Sequence, residues 1–149
     1  MNIQYKKLGI GDIDQLVGLI YIYADAFNME KFVMPDRSYL QGLLANENII
    51  YYVALYDNHP VGGLTAHILP SVYSQASEVY IYDLAVYAQY QRTGIGRQLI
   101  SSLNHYCRTQ GIKEVFVQAD QEDRYALDFY RATGGKAENV VHFTYNLSK

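Results

Sequence analysis

Two sets of residues have types and spacing that could do chemistry: a glycine-bearing loop and a group of carboxylates. The loop lies between a strand-like run and a helical run and consists of Gln91, Arg92, Thr93, Gly94, Ile95 and Gly96. Glycines at such a junction let backbone N–H groups approach a phosphate, and the N-terminus of the following helix adds partial positive charge. The loop therefore predicts an anion-binding site, with an ordinary strand-to-helix turn as the alternative.

Two common phosphate-binding motifs do not fit this loop. A P-loop needs Lys followed by Ser or Thr after its last glycine, whereas Arg97 and Gln98 follow Gly96. A dinucleotide-binding fingerprint needs three glycines close to the first strand, whereas this loop has two and comes late in the chain. The residues alone leave the identity of the phosphate ligand open.

The formal charge changes sign just after the loop. Residues 91–113 carry four cations and no acid, and residues 114–128 carry five acids and one cation, so the local charge goes from +4 to −4. One part of this region therefore favours an anion and the next part favours a cation. We expect the acidic stretch, which contains Asp120, Glu122 and Asp123, to attract a cationic substrate.

Asp83 is the carboxylate that is hardest to explain by structure alone. It falls inside a predicted strand at 78–86, where Asp is depleted and where a buried unpaired carboxylate is costly. Asp120 and Asp123, by contrast, have two equally good explanations: each could cap a helix, or each could have a functional role. We therefore expect a functional role for Asp83.

The hydrophobic pattern predicts the elements that position these residues. Strands are expected at 3–8, 49–56, 61–69, 78–86, 115–119 and 140–146, and helices at 12–27, 36–45, 95–110 and 123–133. Helices join some strands and hairpins join others, which predicts an α/β (α+β) fold with a mixed sheet flanked by helices. No linker-like segment interrupts the pattern, so a single domain over residues 1–149 is expected.

Composition narrows the class of protein. Half of the 149 residues are apolar, which allows a real core, and the net charge of −3 argues against a nucleic-acid binder. One cysteine, Cys107, allows no internal disulfide, and we expect it to act as a small hydrophobic residue. No segment is long and apolar enough for a membrane span or a signal peptide, so we expect a cytoplasmic protein without membrane or metal sites. The 16 tyrosines suit either packing or a polar aromatic pocket.

The motifs resemble the GCN5-related N-acetyltransferases, the GNAT superfamily. A strand ending Asp83-Leu84-Ala85-Val86 is followed by the family's glycine loop, and Ala126, Tyr130 and Gly134 match the pattern of its last helix. The runs 80–86, 117–120 and 141–143 are similar to the type I aminoglycoside 3-N-acetyltransferases. The resemblance implies acetylation of an aminoglycoside antibiotic, a cationic small molecule, at the 3-amino group of 2-deoxystreptamine by direct attack in a ternary complex.

The resemblance also implies a cofactor, acetyl-CoA, and the residues that hold it. Backbone groups of Leu84, Ala85 and Val86 would bind the pantetheine arm, at a bulge that splays this strand. The loop from Gln91 through Arg97 would bind the pyrophosphate. Asp123 stands where the family usually has the Asn that contacts pantetheine, so its cofactor role is the weakest of the set. A homodimer is expected by family likeness.

Catalytic roles follow from the resemblance and from the chemistry of amines. Only a neutral amine is nucleophilic, and amine pKa values of about 8 to 10.4 call for a proton acceptor. Asp83 would bind the substrate amine, Asp120 is a second candidate acceptor, and Tyr130 occupies the general-acid position, where it would hydrogen-bond the departing thiolate. The candidate substrate-binding residues are Asp83, Asp120, Glu122, Asp123 and His142.

Three other interpretations of the protein's function remain open. The first is a GNAT enzyme that acetylates a polyamine, a small metabolite amine or a protein N-terminus, because an acidic cleft suits all cationic amines. The second is a module that binds acyl-CoA without catalysis. The third is a structural domain, which leaves the charge pattern around the loop unexplained. Tyr130 and His142 also have purely structural interpretations. Tyr130 could be an aromatic residue of the core, and His142 could be a histidine packed within a strand.

Overall fold

The computed structural model describes residues 1–148, in two units. The first unit is Met1–Gln118, and the second begins at Ala119. The expectation that the whole chain is a single domain stays a prediction. No helix among the described residues is long and apolar enough to cross a membrane.

The first unit is built on a five-stranded sheet in the order of the sequence. The strands are β1 (Ile3–Lys7), β2 (Ile49–Tyr56), β3 (His59–Pro70), β4 (Ser77–Val86) and β5 (Val115–Val117). Strands β1 to β4 pair antiparallel, and β5 pairs parallel to β4. The mixed sheet predicted from the alternation of hairpins and helical connections is confirmed.

Four α-helices and one short 3₁₀ helix, Ala88–Tyr90, complete the described structure. The α-helices are α1 (Ile13–Ala26), α2 (Arg37–Ala45), α3 (Ile95–Thr109) and, in the second unit, α4 (Arg124–Ala132). The glycine after α3 has a positive φ of 75°, as does Gly134 after α4 at 100°, so both end their helices in the left-handed conformation that glycine adopts without strain. The predicted helix ends are confirmed.

Helices pack on both faces of the sheet in the first unit. Successive residues of a strand point to opposite faces. A Cβ added at Gly63 would lie 2.5 Å from Leu19 of α1, whereas one at Gly62 would lie 3.4 Å from Ile95 of α3. The two neighbouring glycines of β3 therefore let α1 and α3 approach the sheet from opposite sides.

Each face has its own apolar core. Leu16, Leu19 and Ile22 of α1 pack with Tyr51, Val53 and Leu55 of β2 and with Leu40 and Leu44 of α2. On the opposite face of the sheet, α3 contributes the fully buried side chains of Leu99, Leu103 and Cys107, each at most 1% exposed. The expectation that Cys107 is a small core residue is confirmed.

Local turn chemistry explains how β2 turns into β3. Asp57 and Asn58 both have positive φ values, 52° and 64°, between paired Tyr56 and His59. Asp and Asn tolerate this left-handed conformation, and two such residues make the hairpin turn whose twist matches the strands.

Asp12 lies at the N-cap of α1 as predicted, but its side chain accepts hydrogen bonds from Gly9 N–H (2.7 Å) and Lys6 Nζ (2.9 Å) and makes no cap bond.

Two strand predictions at the C-terminal end differ from the structure. Strand β5 ends at Val117, so Asp120 lies in the following turn region and not at a strand end. The strand predicted at 140–146 is wrong, because residues 136–148 form neither helix nor strand. The alternation in that segment is typical of a strand, but a strand also needs a neighbouring strand to satisfy its backbone groups, and alternation alone does not provide one.

Candidate active site

A β-bulge in β4 sets the direction of Asp83. Thr65 of β3 pairs with Asp83, whereas the next residue, Ala66, pairs with Ile81, so Tyr82 is the extra residue of the bulge. Without the bulge, Asp83 would share a face with Ile81. With it, Asp83 shares the face of its partner Thr65, because residues paired across two strands lie on the same face.

This face is the one covered by α1. The hydroxyl of Tyr23, a buried residue of α1, lies 2.8 Å from Thr65 Oγ1. The Thr65 hydroxyl also hydrogen-bonds the Asp83 carboxylate. Because a hydroxyl has one proton, Thr65 donates to Asp83 and accepts from Tyr23. The helix and both strands therefore jointly position the carboxylate.

The surroundings of Asp83 change its acidity. Burial raises the pKa of the Asp83 carboxyl from 3.8 to about 6, and the hydrogen bond from Thr65 opposes the shift by stabilising the carboxylate. A carboxyl group with a pKa near 6 is ionised at neutral pH and can still accept a proton. These are the properties required of a group that binds an ammonium ion and takes one of its protons.

Tyrosines surround the carboxylate on this face. Burial, together with the negative charge of Asp83, raises the pKa values of Tyr23, Tyr51 and Tyr80, in the case of Tyr51 to about 12. Tyr80 also stacks on Phe116 of β5, with ring centroids 4.9 Å apart. The hydroxyls therefore stay protonated. Tyr23 and Tyr51 are buried behind the carboxylate, and Tyr80 is a partly exposed polar aromatic group near it.

Sequence reasoning missed Thr65, Tyr23 and Tyr51 as site residues. The high tyrosine content indicated a polar aromatic pocket, but composition does not say which tyrosines form it. Their assignment depends on the bulge at Tyr82, which is a property of strand pairing and becomes visible only in the register of β3 against β4.

The second half of β4 has an open edge. The parallel pairing with β5 covers only Val79, Tyr80 and Ile81 of β4. From Asp83 to Val86 the strand pairs with β3 alone among the described strands. In a strand paired on one side, backbone N–H and C=O groups on the other side remain available. The open edge therefore offers Leu84, Ala85 and Val86 to an extended ligand.

The glycine loop is shaped as the sequence predicted. Gly94 is the N-cap of α3, with a φ of 91° and no side-chain cap, and the helix starts at Ile95. Gln91 Nε2 donates to the Val86 carbonyl (3.0 Å), and Thr93 Oγ1 donates to the Tyr90 carbonyl (2.6 Å), so side chains hold the loop against the end of β4. The first N–H groups of a helix have no partner within it, which makes this terminus suitable for an anion.

These two features fit the parts of coenzyme A. An edge of unpaired amides matches the amide-containing pantetheine arm, and an uncapped helix N-terminus next to it matches the pyrophosphate. Leu84 to Val86 and residues 91–97 are the cofactor-binding residues predicted from the sequence, and the structure places both groups at the same end of β4, joined by the Gln91 bond.

The remaining predicted site residues belong to the second unit. Asp123 Oδ1 accepts a hydrogen bond from Ala126 N–H (3.0 Å) and so caps α4. Asp120 lies one turn before it, with its carbonyl accepting from Asp123 N–H (2.9 Å), and Glu122 is exposed between them. Tyr130 is a half-buried residue of α4 whose ring packs edge-on against Phe129. His142 is exposed in the segment after α4. Their roles in cofactor or substrate binding stay predictions.

Comparison with known proteins decides the family. The sequence model of the acetyltransferase (GNAT) family matches residues 15–134, which include the bulged strand, the glycine loop and α4. The chain belongs to the GNAT family. It is therefore an acetyltransferase, and its cofactor is acetyl-CoA, in agreement with the open edge and the uncapped helix.

Two solved structures and one curated relative are notably similar. An aminoglycoside acetyltransferase, meta-AAC0020, from an uncultured soil metagenomic sample, solved in complex with sisomicin, is 44% identical, with a TM-score of 0.95 over 98% of this chain and 97% of that one. A second such enzyme, HMB0005, also from a soil metagenomic sample, is 34% identical, with a TM-score of 0.93 over 99% and 100% of the two chains. The uncharacterized N-acetyltransferase YycN of Bacillus subtilis is 27% identical over 78% of this chain and 73% of its own length.

Proposed function

We propose that this GNAT acetyltransferase acetylates an amino group of an aminoglycoside antibiotic, the 3-amino group of 2-deoxystreptamine. The observation that carries the proposal is Asp83, a half-buried carboxylate with a pKa near 6 in the part of β4 that β5 does not cover. The likeness to meta-AAC0020, solved with sisomicin, supports the substrate class. The position on the sugar rests on the sequence resemblance.

Asp83 acts on the substrate amine. Its carboxylate binds the ammonium form, and it accepts one proton, directly or through water, so that the nitrogen becomes nucleophilic. The hydrogen bond from Thr65 fixes the position of the carboxylate for this step. Tyr80, a partly exposed tyrosine near Asp83, offers its hydroxyl to the hydroxyl groups of a sugar.

The cofactor is held by backbone groups. Leu84, Ala85 and Val86 bind the pantetheine arm, and the amides at the start of α3 bind the pyrophosphate. Bound acetyl-CoA supplies the acetyl group as a thioester, which the amine attacks directly in a ternary complex. Tyr130 is proposed to donate a hydrogen bond to the departing sulfur, because a phenol with a pKa of about 10 stabilises a thiolate better than it protonates one.

A polyamine is the second candidate substrate, since the acidic stretch after β5 attracts any polycation. The likeness to meta-AAC0020, solved with sisomicin, favours the aminoglycoside. A non-catalytic module would bind acetyl-CoA without turnover. We also propose a cytoplasmic homodimer, with antibiotic resistance as its role.

The test is the release of thiol from acetyl-CoA by the purified protein, with gentamicin and with spermidine in parallel wells. We expect rapid release with gentamicin and little with spermidine, and NMR of the product should show the acetyl group on the 3-amino nitrogen. Release with spermidine alone would move the function to polyamines. No release with either, while acetyl-CoA binds, would support the binding module instead.

A further inference from the structure

The face of the sheet that carries Asp83 continues as a row of aromatic side chains within the first unit. In β3, His67 lies two residues after Thr65, so it shares the face of Thr65 and Asp83. His67 pairs with Tyr80 of β4, and Tyr80 pairs with Phe116 of β5. Because paired residues lie on the same face, all three rings lie on the face of the carboxylate.

The bulge residue Tyr82 joins this row. Its ring packs edge-on against His67, with centroids 5.6 Å apart, and against Tyr80, with centroids 5.9 Å apart. These contacts place Tyr82 on the face of Asp83, whereas strict alternation would put the two consecutive residues on opposite faces. The bulge therefore directs an aromatic ring and the carboxylate to one side of the sheet from neighbouring positions. We call His67, Tyr80, Tyr82 and Phe116 the aromatic row.

The aromatic row is accessible in the first unit. The side chain of Tyr82 is 64% exposed, and the other three members of the row are partly exposed. Thr65, which lies on the same face under α1, is buried. Adjacent exposed rings make a contiguous apolar patch, and patches of this kind mark binding surfaces more than single exposed residues do.

The charges around the row favour a cation. Strands β3, β4 and β5 contain no lysine or arginine. Asp83 lies at one end of the row, and Glu78, two residues before Tyr80 on the same face, lies at the other end, where its carboxyl group hydrogen-bonds that of Glu114. Aromatic faces attract cations through their quadrupole, and carboxylates at both ends strengthen the attraction. The surface therefore suits a ligand that has both apolar ring faces and several ammonium groups.

We infer that the aromatic row binds a sugar ring of the aminoglycoside whose amine reacts at Asp83, with Tyr82 as the main contact. This rests on the proposed function and names residues that select its substrate. The C–H faces of a sugar ring pack on aromatic rings, and its ammonium groups can lie over them. Tyr82 and Asp83 are consecutive, with Cα atoms about 3.8 Å apart. A substrate of several rings that is bound at Asp83 therefore reaches Tyr82 while it lies along the sheet.

The test is the steady-state kinetics of gentamicin acetylation by the wild type and three variants. Tyr82→Ala removes the ring, Tyr82→Phe keeps it, and Tyr73→Ala removes another exposed tyrosine, 91% accessible, from the loop between β3 and β4. We expect Tyr82→Ala to raise KM for gentamicin about tenfold and to leave kcat within about twofold, because a contact made equally in the bound substrate and in the transition state changes KM alone. Tyr82→Phe and Tyr73→Ala should keep the wild-type KM.

The outcomes separate the row from the proposed function. Tyr82 is exposed, so its replacement should leave the fold intact, and unchanged affinity for acetyl-CoA in calorimetry checks this. A wild-type KM in Tyr82→Ala would overturn the row and leave the acetylation of aminoglycosides standing. A fall in kcat at constant KM would also overturn it, since Tyr82 would then position Asp83 and not bind the sugar. A wild type that does not acetylate gentamicin would overturn the proposed function and the row together.

Discussion

The hydrogen bond from Thr65 to Asp83 makes a specific prediction about pH. If Asp83 must be ionised to bind and deprotonate the amine, kcat/KM falls as the pH drops through its pKa of about 6. The hydroxyl of Thr65 lowers that pKa against the effect of burial. Thr65→Val keeps the shape of the side chain and removes the donor, so the pKa of Asp83 must rise.

The size of the shift follows from the strength of such a bond. A hydrogen bond to a charged group contributes about 1.5 kcal/mol or more, which is about one pKa unit. The acidic limb of kcat/KM should therefore move from about pH 6 to about pH 7. Below that limb the variant should be about tenfold slower than the wild type, and above pH 8.5 the two should converge.

The assay is thiol release from acetyl-CoA with gentamicin between pH 5 and 9. Thr65→Ser keeps the hydroxyl and should restore the wild-type limb. Thr65→Val leaves the buried Tyr23 hydroxyl without its partner at 2.8 Å, so the double variant with Tyr23→Phe separates any loss of folding from the shift in pKa. An acidic limb that stays at pH 6 in Thr65→Val would refute the reasoning.

Three further variants test other parts of the site. Asp83→Asn should raise the free energy of unfolding at pH 8 by roughly 1 kcal/mol after allowing for solvent, because a raised pKa means that the folded state disfavours the carboxylate at every pH above about 4. Thermal unfolding should then show a higher midpoint temperature, and a lower one would contradict this. Gly94→Ala forces an alanine into a φ of 91°, costing about 1–2 kcal/mol, so calorimetry should find acetyl-CoA bound about tenfold more weakly, whereas Gly42→Ala, inside α2 with open space around it, should bind normally. Tyr130→Phe should slow the single-turnover rate by at least tenfold, since an oriented proton donor is worth about 10²–10⁴, and an unchanged rate would leave Tyr130 a packing residue.

The parts of the fold that depend on local chemistry could be predicted. Asp57 and Asn58 mark the hairpin turn because they tolerate positive φ, although β3 begins at His59 and not at 61 as predicted. Gly94 marks the start of α3 for the same reason. The proposed anion site follows from that start, since it depends only on the backbone at a helix terminus. Asp83 could be singled out because Asp is rare in strands and a buried carboxylate without a partner is costly.

The parts that depend on pairing could not be predicted. The face on which Asp83 lies is decided by the bulge at Tyr82, and a one-residue change of register reverses that face. Thr65 and Tyr23 become site residues only through this register. The predicted strand at 140–146 failed for a related reason: alternation would put Val141 and Phe143 on one face of a strand, but alternation alone does not supply the neighbouring strand that pairing needs.

The most direct test of the account combines two measurements on Asp83→Asn. Calorimetry with acetyl-CoA reports the cofactor site, and thiol release with gentamicin reports the step that needs the carboxylate. Asp14→Asn, at an exposed position of α1 that is 89% accessible, is the matched control. The account predicts that Asp83→Asn binds acetyl-CoA as the wild type does and loses turnover by at least a hundredfold. Lost cofactor binding with an unchanged rate per bound enzyme would contradict it.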